Sequence, residues 1–430
     1  MGKSSKNPKI KNKEGEKTSF WARLFVRKGW GQVILLPILS VFTALVIGGI
    51  IIALSNLEVL TSWGKFFSHP WDTLAITWNS IKSAYVAMFE GSFGKPVEMM
   101  AAIRTWLDTG TTKQLVTAFR PFSESLVIST PYIFAGLGVA LGFRCNLFNI
   151  GAEGQMFIGA ITSVFIGYSV TGLPFYIHMP LAILGGVAAA GLWGAIPGFL
   201  KGFFGAHEVI NTMMMNYVAL RFTDFLLTGP MMRPDKVAIT PEILKTAYLP
   251  ALFPSPMRVH WGFLIALGAA VLVYLFLWKT PIGMEIRMVG ANPRAARYAG
   301  VKNKIIIVLT LTLSAALAGM AGVSQILGVD HRLVRSFSSG YGFDAIALAL
   351  LGNSHPFGVV LASLLFGFLR GGAARMQSVA GTPVELIRVI QGMVIIFIAA
   401  PEIIRGLYHL RAKQKKGPVV AEQLKEGGIK

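Results

Sequence analysis

The chain has 430 residues, 53% of them apolar and only 14% charged, with a mean hydropathy of +0.59. Its formal net charge is +20, from 40 Lys and Arg against 20 Asp and Glu. Soluble domains carry about 25% charged residues, so a soluble enzyme, a disordered chain and a nucleic-acid-binding domain are excluded and a polytopic membrane protein remains.

The first 30 residues hold nine Lys/Arg and two Glu. Residues 1–31 read as a basic, solvated arm kept on the cytoplasmic side by its charge and able to touch anionic lipid. The arm is not expected to be a cleavable signal peptide. The apolar run that follows, 33–54, is too long for one and lacks a small-x-small cleavage site.

A membrane span takes about 20 apolar residues. Ten are expected, at roughly 32–54, 122–142, 150–171, 179–200, 208–228, 260–278, 305–327, 341–353, 356–372 and 384–404. The eighth is too short to cross as one regular helix and reads as a half-helix or a broken helix. Together they make a transmembrane domain over 32–405, followed by a basic tail at 406–430 with the same sidedness as the arm. An even number of spans places both termini and the +5 loop at 279–304 on one side, the cytoplasmic one.

The external connections differ in character. Segment 55–121 is nearly neutral, with six Lys/Arg and five acids, and holds Trp63, Trp71, Trp78 and Trp106. Its stretches 73–89 and 97–107 read as surface or interfacial amphipathic helices. Segment 229–259 contains six prolines and cannot be one long helix. Spans 2–5 and 7–10 start in opposite directions, as in an inverted pair of four-helix halves. Small residues recur inside the spans, at Gly136, Gly138, Gly185, Gly186, Gly319, Gly322, Gly371 and Gly372, where helices are expected to pack closely.

No phosphate-binding loop is present; the nearest string, Gly91 to Pro96, lacks the glycine spacing and the Ser/Thr after Lys95. The His residues are scattered without metal-ligand spacing, and the single Cys145 excludes an intrachain disulfide. Neither a catalytic residue nor a metal site is expected, and the chain does not read as an enzyme by itself.

Polar residues at membrane depth are costly and need a reason. The first group, Phe143 to Gln155, interrupts two apolar runs with Arg144, Asn146, Asn149, Glu153 and Gln155. It reads either as a cytoplasmic hairpin with Glu153 capping a helix or pairing Arg144, or as a broken helix lining a pathway. In the second group, His207 to Tyr217, the pairs Asn211/Met215 and Thr212/Asn216 are each four residues apart, so the two Asn fall on adjacent strips of one helical side. These amides serve either interhelical hydrogen bonds or a polar solute. The third group is the loop 280–300. Pro281 starts a short helix there, and Asn292-Pro293 opens another, with Asn292 as N-cap and Pro293 at the first position. Its second helix, Pro293 to Ala299, is basic, with two Ala facing outward, and reads as a docking helix for a cytoplasmic partner. In the fourth group, Gly340 to Pro356, Asp344 is placed to cap a helix N-terminus.

These strings, in this order, resemble the membrane permease of bacterial ABC importers, nearest the branch for nucleosides and simple sugars and related to the ribose and branched-chain amino acid permeases. The matching pieces are Ala84 to Gly94, Leu147 to Gln155, Glu208 to Met214, the loop 280–300 and Gly340 to Pro356. Asn149-Ile150-Gly151-Ala152-Glu153-Gly154-Gln155 is the most specific of them. The resemblance covers about 32–405 and departs in the long N-terminal arm and in Cys145.

The resemblance implies an importer of two permease subunits, homologous or identical, two cytoplasmic ATPases that carry ATP and Mg, and an external solute-binding lipoprotein. The fold it implies looks like that of the vitamin B12 importer, all-α with ten spans, in a bacterial plasma membrane. Carried onto this chain, the ATPase-coupling segment is Glu285, Arg287, Asn292, Pro293, Arg294, Ala295, Ala296, Arg297 and Tyr298. The expected substrate pathway is Asn146, Asn149, Glu153, Gln155, Asn211 and Asn216, with a nucleoside as solute and a sugar such as ribose or a branched-chain amino acid as its competitors. Two readings from other classes stand beside it. One is an ion-coupled secondary transporter using Glu153, Glu208 or Asp344; the other is a non-transporting membrane scaffold.

Overall fold

The computed structural model describes residues 30–408 apart from Ser336. Most of the basic N-terminal arm and nearly all of the basic tail lie outside the described residues. The described residues are helical apart from loops and one isolated bridge, Ala251 to His260. In chain order the helices are α1 (Trp30–Ser55), α2 (Leu57–Trp63), α3 (Pro70–Phe93), α4 (Pro96–Thr109), α5 (Lys113–Arg144), α6 (Ala152–Ser169), α7 (Phe175–Phe204) and α8 (Glu208–Thr228). After the Pro-rich segment come α9 (Trp261–Lys279), α10 (Pro281–Ala291), α11 (Pro293–Tyr298), α12 (Asn303–Gln325), α13 (Tyr341–Leu351), α14 (Pro356–Ala380), α15 (Glu385–Ala399) and α16 (Pro401–Leu407).

Proline sets many of the starts. Pro70, Pro96, Pro281, Pro293, Pro356 and Pro401 each stand in the opening positions of a helix, where the missing N–H costs nothing and φ is already helical. The chain is an all-α polytopic membrane protein. Among the described residues, six helices are long and apolar enough to cross a bilayer: α1, α5, α7, α9, α12 and α14. A seventh follows if α15 and α16, which meet at 87° ahead of Pro401, are one broken span. Helices α6 and α8 form where spans were expected, but Glu153, Gln155, Asn211, Asn216, Arg221 and Asp224 lower their hydropathy.

The core lies where α5, α6, α12 and α13 meet, around Tyr132, Phe134, Met156 and Leu348. Helix α12 rides directly on α6 and α7. A Cβ at Gly319 would collide with Ala190, and one at Gly322 with the Met156 carbonyl. Backbones this close gain dispersion contacts that lipid cannot replace. Helix α3 is not confined to a surface, contrary to the amphipathic reading. Its small residues Ala84, Ala87 and Ser92 are buried, the Ser92 hydroxyl donates to the Phe368 carbonyl of α14 at 2.5 Å, and Arg375 donates to Glu90 at 2.8 Å.

The Pro-rich segment braces the end of α12. The N–H groups of Thr240, Ile243 and Leu249 donate to the carbonyls of Leu333, His331 and Leu327 at 3.1, 2.9 and 2.8 Å. Backbone that is neither helix nor sheet thereby finds its partners.

Helix α13, with eleven residues, is too short to cross a bilayer as one regular helix. Its first turn lies against Tyr132, whose hydroxyl donates to Asp344 at 2.7 Å. Its end lies beside Arg144, which donates to the Ser354 and Asn353 carbonyls at 2.8 and 3.1 Å. Tyr132 and Arg144 are separated along α5 by about 18 Å, and eleven helical residues span about 16 Å, so the two estimates agree.

Candidate functional site

Helix α6 also starts at depth rather than at a surface. After Arg144 the chain turns through Asn146, which is exposed with φ 57°, and runs back along α5 as far as Gly151. The Asn149 amide fastens this stretch. Its Nδ2 donates to Gln155 Oε1 at 2.9 Å and to Ser314 Oγ at 2.8 Å, while its Oδ1 accepts from Gly151 N–H at 3.0 Å and Gln155 Nε2 at 3.1 Å. Ser314 in turn donates to the Gly138 carbonyl at 2.6 Å. Every donor and acceptor of the buried Asn149 side chain is thereby used.

Helix α8 holds the same stretch from the other side. Asn216 accepts from Gly154 N–H and donates to the Ile150 carbonyl, both at 2.8 Å. Thr212, one turn earlier, accepts from Ile150 N–H at 3.2 Å. Asn211 lies on the neighbouring strip, half-buried, with its Nδ2 unpartnered among the described residues.

Glu153 joins the starts of α6 and α13. It accepts from the Ser338 hydroxyl and, at 2.7 Å, from Gly342 N–H. A Cβ at Gly342 would collide with the Glu153 backbone, so only glycine permits two helix N-termini to approach this closely. The expectation that Glu153 pairs Arg144 is corrected. The returning chain carries Glu153 away from the end of α5, and Arg144 serves the carbonyls after α13 instead. Asp344 does not cap α13 either: the cap is Gly340, without a side-chain bond. The Asp344 carboxylate faces sideways to Tyr132 and lies 3.7 Å from Arg370, and Arg370 donates to Tyr132 Oη at 2.8 Å. Glu208 pairs Lys201 at 2.8 Å.

Tyr132, Ser314, Ser338 and Arg370 were missed in the sequence. The signal for Arg370 was present, a charge inside an apolar run. A lone Ser in a span carries no such signal.

The loop 280–300 folds as expected into two short helices. The Asn292 side-chain Oδ1 accepts from the N–H groups of Arg294 and Ala295 at 3.0 and 3.1 Å, with Pro293 at the helix start. Asn292, Pro293, Arg294, Ala295, Arg297 and Tyr298 are exposed, Tyr298 to 94%. Ala296 corrects the expectation of two outward Ala: at 1% exposure it packs with Ile286, Val289 and Ile306. Glu285 and Arg287 are half-buried, the guanidinium 5.8 Å from the Trp278 ring centre.

Apolar helices meeting at a buried polar junction, with a capped basic helix exposed on one loop, define a polytopic membrane protein. Residues 122–399 match the family described as branched-chain amino acid transport system, permease component, and the chain belongs to that family. It is a permease subunit of an ABC importer, the part embedded in the membrane, and ATP hydrolysis resides on a separate subunit.

Among its relatives, the guanosine ABC transporter permease protein NupP of Bacillus subtilis is 38% identical over 343 residues, covering 79% of this chain and 90% of that protein. The glucose ABC transporter permease protein TsgB13 of Haloferax volcanii is 30% identical over 376 residues, covering 85% and 87%. The nucleoside ABC transporter permease protein NupB of Lactococcus lactis is 34% identical over 318 residues, covering 69% and 86%. No solved structure matches the chain.

Proposed function

We propose that this subunit imports a nucleoside across a bacterial plasma membrane. The observation that carries the reading is the 38% identity to a permease named for guanosine, over nine-tenths of that protein's length. Two further relatives named for nucleosides, at 34% and 29%, support it. The second reading is a sugar, favoured by the relative named for glucose at 30%.

In this proposal the chain spans the bilayer ten times in the manner of the vitamin B12 importer, with α6, α8 and α13 completing the set. Both termini are cytoplasmic, and the transmembrane domain runs over 32–405. A second permease subunit stands beside it, an external lipoprotein delivers the solute, and ATP with Mg is held by the ATPase subunits. Helix α11 docks on the ATPase through Arg294, Arg297 and Tyr298, whose exposure supports that role. ATPase closure pushes on α11, and α10 carries the displacement to the ends of α5 and α9.

Asn149, Glu153, Gln155 and Asn216 shape the pathway from behind. Their hydrogen-bonding groups are occupied within the chain, so they hold α6 and α13 in place and leave solute contact to more exposed side chains. The test of the solute is a thermal-shift screen of the cognate external lipoprotein with guanosine, adenosine, uridine, ribose and leucine. A shift with nucleosides supports the proposal; a shift with leucine or ribose and none with nucleosides contradicts it.

A further inference from the structure

A second polar site lies on α8, away from the junction. Phe157 of α6, Tyr217, Thr223 and Asp224 of α8, and Arg335 of the segment before α13 line a cavity of about 240 Å³. Asp224 lies 3.3 Å from Arg335 and 3.7 Å from Arg221. One carboxylate thus stands between two guanidinium groups, leaving unspent N–H donors beside a carboxylate acceptor.

Two observations separate this cluster from an ordinary surface ion pair. The first is Thr223, 2% exposed, whose hydroxyl has no hydrogen-bond partner among the described residues. A helical Thr normally donates to the carbonyl four residues back, as Thr212 and Thr228 do in this same helix at 2.8 Å. A buried hydroxyl left unmet costs free energy, and Thr223 is one of the residues that line this cavity. The second is Arg221, 86% exposed on a helix otherwise lined outward by Met213, Met214, Tyr217, Val218, Phe222 and Phe225. With α8 as one of the proposed spans, a guanidinium there does not face lipid, and this side of α8 faces water or the companion subunit.

We infer that this cavity is a solute-binding site of the import pathway, built for a flat heterocycle with hydrogen-bond donors and acceptors along one edge: the base of a nucleoside. The inference rests on the nucleoside reading and names the residues that would act on it. Tyr217 and Phe157 supply apolar ring surface. Asp224 accepts from the N–H edge of the base, and Arg221 and Arg335 donate to its carbonyl and ring-nitrogen acceptors, as guanidinium groups do to guanine. Thr223 closes the cavity on its protein side. At about 240 Å³ the cavity is smaller than the ~300–1,000 Å³ of most small-molecule sites, so it holds the base and leaves the sugar toward the subunit opposite.

The test uses the complete importer, with ATPase subunits and lipoprotein, in proteoliposomes loaded with ATP. Asp224→Asn and Tyr217→Leu are each expected to lower initial guanosine uptake about tenfold. A Leu220→Cys variant, at a lining position that makes none of the assigned contacts, made with Cys145→Ser supplies a readout that does not depend on turnover: a charged thiol reagent labels it, and guanosine slows the labelling. Wild-type vesicles that concentrate no nucleoside refute the nucleoside reading and this assignment with it. Wild-type vesicles that do concentrate guanosine, with unchanged uptake in both substituted importers or with labelling that guanosine does not slow, overturn the site alone.

Discussion

The carboxylate of Glu153 accepts a hydrogen bond from the backbone N–H of Gly342 at 2.7 Å, although 189 positions separate them in the chain. Each residue stands in the first turn of a helix that starts inside the molecule. The favourable field at a helix N-terminus therefore acts on a carboxylate fixed to another helix, and this couples the two starts.

Gly342→Ala is expected to separate them, because the new methyl meets backbone that cannot rotate away. Overpacking of this kind costs roughly 1–3 kcal/mol. Glu153→Gln keeps the shape and weakens a charge-assisted bond, so it is expected to cost less. Thermal unfolding of the purified subunit in detergent checks the order: Gly342→Ala lowest, Glu153→Gln between it and the parent.

The Asn149–Gln155 pair makes a sharper case. Each amide is the other's donor and acceptor, so removing one strands the other in a buried site. Asn149→Leu is expected to cost about 1–3 kcal/mol. The double substitution with Gln155→Leu is expected to cost clearly less than the sum of the single ones, giving a nonzero coupling energy. A double-mutant cycle read by unfolding in detergent measures it; strict additivity would mean that the pair is not coupled.

His260, in the loop just before α9, predicts a pH dependence. The ring is buried, its Nδ1 accepts from Gly262 N–H at 3.1 Å, and burial, assisted by the nearby His331, pushes its pKa down from 6.5 to about 4. Between those values the unfolded chain takes up a proton that the folded chain refuses. Stability is therefore full above pH 6.5, falls as pH drops toward 4, and levels off below. His260→Asn keeps a capping acceptor without a titrating ring, so its melting temperature is expected to fall less over the same range.

Some of this architecture was legible because its signals are local. Asn292-Pro293 announced a capped helix, since both residues act on the backbone next to them, and 341–353 was visibly too short to cross. The pairing of Glu153 was not legible. The choice among Arg144, Ser338 and Gly342 depends on where the chain after Asn146 turns, which tertiary packing decides. The outward Ala296 failed for a similar reason: in a six-residue helix one side must rest on the protein, and helical periodicity alone does not say which.

Helix α11 predicts a functional rather than a structural loss. Asn292→Ala removes a bond to two N–H groups and is expected to cost about 1 kcal/mol locally, with partial loss of solute-stimulated ATP hydrolysis in the assembled importer. Parental stimulation in the Asn292→Ala complex would show that the cap does not serve coupling.

The most direct measurement of the central claim is solute-stimulated ATP hydrolysis by the importer reconstituted with its ATPase subunits and loaded lipoprotein. The parent complex is expected to hydrolyse ATP faster when guanosine-loaded lipoprotein is added. A subunit carrying Arg294→Glu and Arg297→Glu together is expected to insert in the membrane normally and lose that stimulation. Persistent stimulation in the double variant would contradict ATPase docking on α11, and guanosine transport by the purified subunit without any ATPase would contradict the account as a whole.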